Sequence, residues 1–303
     1  MIQITRAGKY SLFVNSPVMP AAGTMGFGGQ YRNIINYEKL GAFVTNPVTY
    51  EPWSPASGTR VIPLDAGVLV HTGLPNLGLN KTIREHRHLW EVMPVPTIFH
   101  LVGTNTEHVQ LSVERLDWEE SIAAIELGLD DDILPEDAYA LTRAAVEVAE
   151  KPVLVRLPAL AANELAETVA DAGADALVIA APPRGTARDP HSGKLVSGRV
   201  YGPVVKPMIL RLVGVLARRI TDVPILGAGG IHTLQDARDY LEAGAVAVQV
   251  DSVIWVQPRR LERIARDLGG NLVTRATGAM PDEWNPDMGD TEFRALFGDD
   301  EDT

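Results

Sequence analysis

The chain has 303 residues, 46% apolar and 22% charged, a balance that fits a folded globular protein and excludes a disordered or low-complexity one. The absence of cysteine excludes disulfides, thiolate metal or iron–sulfur sites and a cysteine nucleophile. A formal net charge of −12 argues against nucleic acid or an anionic membrane as partner, since both demand a positive field; an anionic ligand must be met by a local basic patch.

The N-terminal MIQITRAGKYSLFVNSPVMPAAG carries neither a signal nor a transit pattern. No stretch reaches the roughly 18 apolar residues of a membrane span. A cytoplasmic protein with no membrane partner is the expectation. Short apolar, β-branched runs then recur at Val18–Ala22, Ala42–Val48, Thr97–Val102, Ala123–Leu127, Val153–Leu157, Ala176–Ala180, Val223–Ala228 and Ala245–Val250. Between them the apolar spacing is helical, clearest in Ile209, Leu212, Val213, Leu216, Ala217 and Ile220. A further helix starts at Thr233, with Asp236 three residues on, and stops at Gly244. Eight near-continuous strands alternating with helices predict an α/β fold, a closed (β/α)8 TIM barrel, ahead of an open doubly wound sheet. Residues 1–270 form this domain, and 271–303 a C-terminal extension ending in an acidic, mobile tail, FGDDEDT.

Two connections are long, Thr49–Asn76 after strand two and Pro182–Gly202 after strand six. Both fall on the C-terminal face, where barrels of this kind keep their sites, and read as walls or lids over a pocket.

Gly227-Ala228-Gly229-Gly230-Ile231 ends strand seven. It is either a cradle whose N–H groups close on a phosphate or a tight turn that needs positive φ. Arg184, Arg188, His191, Lys194, Arg199, Lys206 and Arg211 concentrate positive charge in and after the strand-six loop, relieved by Asp189. They point to a small anionic substrate or to a solvated loop. Glu126 and the run Asp130-Asp131-Asp132 could bind Mg²⁺ or act as a base; the preferred reading puts at least two of the three aspartates at the start of the next helix. His100 lies inside strand three, as a ligand contact or a satisfied core histidine. The scattered histidines predict no metal site.

Taken together, NSPVMPAAGTMGFGG, GAFVTNPVT, GLPNLGLN, PVLVRLPA, GADALVIA and VPILGAGGIHTLQDARDYLEAGAVAVQV resemble the dihydroorotate dehydrogenase family of FMN enzymes over about residues 12 to 265. The resemblance implies an FMN site. Ala22 and Gly23 would approach the flavin ring, His100 stands at a contact usually held by asparagine, and Arg156 replaces a lysine near the pyrimidine end. Gly198 matches the strand-six loop glycine, Gly229 and Gly230 the phosphate cradle, and Asp251 and Ser252 a second phosphate-binding pair that is normally glycine followed by a hydroxyl residue.

On the substrate side the sequence departs from the family. Asn46 takes the place of a lysine, Asp131 falls on the catalytic-base position, Val70 replaces a loop asparagine, and Ala181-Pro182 replaces the polar pair ending strand six. Gly73, Leu74 and Asn76 of the GLPN segment, with Arg184, Arg188 and Lys194, would bind substrate. The resemblance thus implies an FMN-dependent oxidoreductase acting on a CH–CH bond, dihydroorotate to orotate in pyrimidine biosynthesis or a changed anionic substrate. The expected assembly is a homodimer with an electron-transfer partner subunit. The alternatives are a non-catalytic partner subunit that keeps the barrel, and a metal-assisted lyase or isomerase.

Overall fold

In a computed structural model the described residues are 1–276 except Lys9, with side chains described through Gly269. The acidic tail therefore lies outside the described residues. Eight strands make one sheet: β1 (Val18–Pro20), β2 (Phe43–Val44), β3 (Thr97–Val102), β4 (Ile122–Gly128), β5 (Val153–Pro158), β6 (Ala176–Ala181), β7 (Ile225–Ala228) and β8 (Ala247–Val250). Every pairing is parallel, in the order β1-β8-β7-β6-β5-β4-β3-β2. The two edges meet where Gly41 N–H donates to the Val18 carbonyl at 2.8 Å. The result is the expected (β/α)8 barrel, nearly closed.

Side-chain alternation divides the core in two. Phe43, Phe99, Ile125, Val155, Leu177, Ile225 and Val248 face outward and pack with the helices. Met19, Val44, Ile98, Ala124, Leu154, Val178, Leu226 and Ala247 fill the barrel interior. Ile4, Leu12 and Val14 join that inner cluster, brought there by a short N-terminal hairpin of Ile2–Gln3 and Phe13–Val14. Two residues further along the strands the interior turns polar, at His100, Glu126, Arg156 and Gln249, all buried.

The helices are α1 (Leu79–Trp90), α2 (Thr106–Asp117), α3 (Pro135–Val148), α4 (Ala162–Asp171), α5 (Lys206–Arg219), α6 (Leu234–Glu242), α7 (Val253–Val256) and α8 (Arg259–Ala276). At α6 the expected signals hold: Thr233 and Asp236 form a reciprocal capping box, and Gly244 takes φ +110° past the end. Strand two is shorter than Ala42–Val48. Asn46 N–H leaves the ladder for the Gly26 carbonyl, and Pro47 has no N–H to continue it. Asp130–Asp132 do not start a helix. Pro135 at its first turn fixes where α3 begins, and Glu136 and Asp137 are the acids that complement its positive end. Among the described residues no helix is long and apolar enough to cross a membrane.

The two long connections are not irregular loops. Arg184–Arg188, Leu195–Tyr201, Gly67–Val70 and Val61–Leu64 form one four-stranded antiparallel sheet in that order. The connection after β2 thus shares backbone hydrogen bonds with the one after β6, and together they wall the C-terminal mouth.

The barrel seam gives a stability test. A Cβ on Gly41 would stand 2.0 Å from the Ser16 carbonyl oxygen, a backbone atom that cannot swing away. Gly41→Ala is expected to cost about 1–3 kcal/mol through overpacking, read as a lower denaturant midpoint at unchanged slope.

Candidate active site at the barrel mouth

Two hollows stand out. The larger, about 630 Å³, lies between the Tyr37–Lys39 turn, the end of α1 and the start of α8, lined by Arg32, Arg259, Glu262 and Arg263 among others. No strand end reaches it. The smaller, about 110 Å³, sits on the barrel mouth and draws Ala22, His100, Arg156, Leu129 and Asp130 from strand ends, and Trp53, Leu74, Arg199 and Tyr201 from the long connections. Strand-end chemistry defines the site in this architecture, so the smaller cavity is the candidate. Its volume is below the roughly 300–1,000 Å³ of ordinary ligand pockets, and its outer wall is loop; a three-ring ligand enters only if that wall moves outward.

The floor is a buried polar network. Glu126, fully enclosed on β4, has its Oε1 2.8 Å from His100 Nδ1 and 3.4 Å from an Arg156 guanidinium nitrogen, while Oε2 accepts from the Gln249 amide. An ionised carboxylate only accepts, so Nδ1 carries the proton. Arg156 also donates to Gln249 Oε1 at 3.0 Å and to the Ala180 carbonyl at 3.4 Å. Burial pushes the Glu126 pKa up, but the bonds and charge of His100 and Arg156, with Gln249, overcome it and hold it at about 2. The network fixes the imidazole and the guanidinium beneath the cavity. Gly128 belongs to the same geometry: a Cβ there would come 2.6 Å from His100 Nε2.

Above this floor Asp131 binds Arg199 at 2.7 Å and has Arg184 at 3.7 Å. Arg199 also donates to the Pro182 carbonyl. Burial raises the Asp131 pKa in spite of both guanidinium groups. Burial likewise raises that of Tyr201, with Arg156 and Arg199 opposing and Asp251 reinforcing, which places this phenol within electrostatic reach of both the cavity and the end of β8. Tyr201 packs edge-on to Trp255 at 4.9 Å.

Other sequence-derived candidates are placed elsewhere. Asn46 Oδ1 accepts from Gly26 N–H at 3.1 Å, a clamp on the β1 loop. Asn76 holds its own connection through Thr49, Leu74 and Gly78, with Gly73 in the same turn at φ +74°. Gly198 pairs with Gly185 in the wall sheet. Arg188 and Lys194 are at the hairpin tip, where Arg188 donates to the Gly193 carbonyl and Lys194 accepts from Asp189 N–H. Neither lines the cavity. Gly23, at φ +84°, follows Ala22 at the β1 end. Glu126 and the Asp130–Asp132 run do not meet, and among the described residues no group of three or more His, Cys, Asp or Glu is arranged to hold a metal ion.

The turn after β7 tests the implied nucleotide. Gly229 and Gly230 have φ +137° and +66°, and a Cβ on Gly230 would lie 2.6 Å from Lys206 N. This cradle is filled from within. Asp251 Oδ2 accepts from Gly230 N–H at 3.3 Å, Oδ1 accepts from Ser252 N–H at 2.5 Å and the Ser252 hydroxyl at 3.1 Å, and His232 Nε2 lies 3.1 Å from that hydroxyl. The flavin-ring end of FMN meets fitting residues, Ala22, His100 and Arg156; the phosphate end meets a buried carboxylate and does not fit.

The network predicts an acid-sensitive stability. Glu126→Ala leaves the Arg156 charge buried without its partner and should cost about 3–5 kcal/mol. Because the folded pKa of about 2 lies below the ordinary 4.5, the ionised carboxylate's contribution is complete above that ordinary value and fades as pH falls toward 2. Denaturation of wild type and Glu126→Gln at about pH 7 and about pH 3 should show their stability difference shrinking in acid.

The site's setting has known counterparts. Residues 10–272 match the dihydroorotate dehydrogenase family. The protein named dihydroorotate dehydrogenase B (NAD(+)), catalytic subunit, of Geobacter metallireducens is 32% identical over 276 residues, covering 86% of this chain and 90% of that protein. Its namesake of Geobacter sulfurreducens is 31% identical over 271 residues, covering 84% and 88%, and that of Bacillus caldolyticus 31% over 273, covering 85% and 87%. With the family model matched over residues 10–272 and most of the length of these relatives covered, this chain belongs to the dihydroorotate dehydrogenase family.

Proposed function

We propose that the chain is an oxidoreductase acting on the CH–CH bond of a small cyclic anion of the dihydroorotate class, working as the catalytic subunit beside an electron-accepting partner. The carrying observation is the barrel-mouth cavity, lined by two guanidinium groups, Arg156 and Arg199, of which Arg199 holds the half-buried Asp131 carboxylate at 2.7 Å. Full-length kinship with catalytic subunits supports the reaction class and the partner. Removing hydrogen across a C–C bond needs a two-electron acceptor, and the flavin of this family supplies one when bound.

The chain's own residues account for the rest. Arg199, with Arg184 behind it, is the charge that meets the substrate carboxylate, a charge-assisted pairing that Asp131 occupies until substrate arrives. Asp131 is the proton acceptor. Its pKa is raised by burial, which makes it a stronger base than a carboxylate in water. Arg156, balanced by Glu126 beneath it, presents N–H groups to the cavity without an uncompensated charge. Trp53, Leu74 and Tyr201 give the cavity an apolar outer wall.

Anaerobic mixing of flavin-loaded protein with dihydroorotate should bleach the visible absorbance, whereas dihydrouracil, the same ring without the carboxylate, should not. Bleaching by neither, or equally by both, overturns the reading. Asp131→Asn should lower kcat by about 10²–10⁴-fold. A base works when deprotonated, so wild-type kcat/KM should rise with pH through an acid limb displaced upward from the ordinary carboxylate range, and that limb should vanish in the variant.

A further inference from the structure

We infer that the Asp251 carboxyl group fills the cradle formed by the turns after β7 and β8, so that the barrel mouth takes its flavin without a phosphate, at the level of riboflavin rather than of the nucleotide. The inference rests on the flavin reading above but concerns a different part of the site.

The cradle has the form of a phosphate nest. Two backbone N–H groups from different loops, Gly230 and Ser252, converge with one hydroxyl, and Gly230 keeps the wall free of side chain where Lys206 N approaches. What they converge on is the chain's own carboxylate, 2% exposed. Asp251 uses one oxygen for each N–H, which is how a phosphate would spend its oxygens.

The neighbouring anion-binding groups are committed too. His232 N–H and Thr233 N–H, at the start of α6, both donate to Asp236 Oδ2. Lys206, the nearest ammonium, is held between Asp236 and Asp239 at 2.5 and 2.6 Å. An incoming phosphate would have to evict Asp251 from its N–H donors and then lie near the Asp251 and Asp236 carboxyl groups, with the Lys206 ammonium already committed to Asp236 and Asp239. A ribityl chain ending in a hydroxyl carries no charge to repel and can donate a hydrogen bond to Asp251.

The test uses flavin fluorescence quenching by the full chain with riboflavin and with FMN. Wild type should bind FMN no more tightly than riboflavin. Asp251→Gly restores the residue type that the family resemblance implies at this position and should favour FMN over riboflavin by about 100-fold, the worth of two charge-assisted hydrogen bonds. Asp251→Asn, which keeps the shape and removes the charge, should fall between the two. Wild type preferring FMN by tenfold or more overturns the inference and leaves the flavin reading standing.

A second arm needs no flavin. Inorganic phosphate should raise the melting temperature of folded Asp251→Gly and leave wild type unmoved; equal stabilisation of both overturns the inference. If no form binds either flavin while phosphate still separates the variant from wild type, the filled cradle is supported and the flavin reading falls.

Discussion

A single ionised carboxylate at the centre of the barrel determines how the mouth is built. Glu126 has no exposure to water and is held ionised by three side chains from three other strands, His100 on β3, Arg156 on β5 and Gln249 on β8. Isolated, a buried charge of this kind would be prohibitively costly; paired and fully hydrogen-bonded it is tolerable, though weak as a source of net stability. Its effect is geometric. It ties opposite sides of the barrel at one level and sets an imidazole and a guanidinium at fixed positions beneath the cavity, the kind of support that keeps a binding surface from drifting.

The same logic, a carboxyl group answered by groups of the chain itself, recurs at two other points of the mouth. Asp131 is answered by Arg199 and Arg184, side chains supplied by the wall sheet. Asp251 is answered by backbone N–H groups of the β7 and β8 turns. The first pairing leaves guanidinium groups that a ligand carboxylate could share, and the second leaves nothing for an incoming anion. A mouth lined with arginine can therefore discriminate sharply between anions according to where their charge sits.

Much of this was legible in the sequence, and the rest was not for identifiable reasons. Strand and helix alternation gave the barrel, and Thr233, Asp236 and Gly244 marked both ends of α6, because those signals are local. The network was half visible. His100 and Arg156 stood out individually, but Glu126 read as a metal or base candidate, and Gln249 drew no notice inside VAVQV. The clue was the period of two: Ile98, Ala124, Leu154 and Ala247 are inner-core residues, and each polar member lies two positions further on, in the next interior layer. Pairing between the two long connections was hidden because Pro63 and glycines interrupt each run, and strand partnerships across more than a hundred residues have no local signature. Tyr201 escaped for the same reason: only the folded hairpin carries it to the cavity.

The wall is one sheet drawn from two connections, with Arg199, Val200 and Tyr201 hydrogen-bonded in register to Val70, Leu69 and Val68. A length change in either connection is therefore felt by the other. A residue inserted within one strand would slip the shared register and turn Arg199 and Tyr201 to the opposite face, whereas one added at the hairpin tips, 65–66 or 189–194, would leave the ladder between them in place.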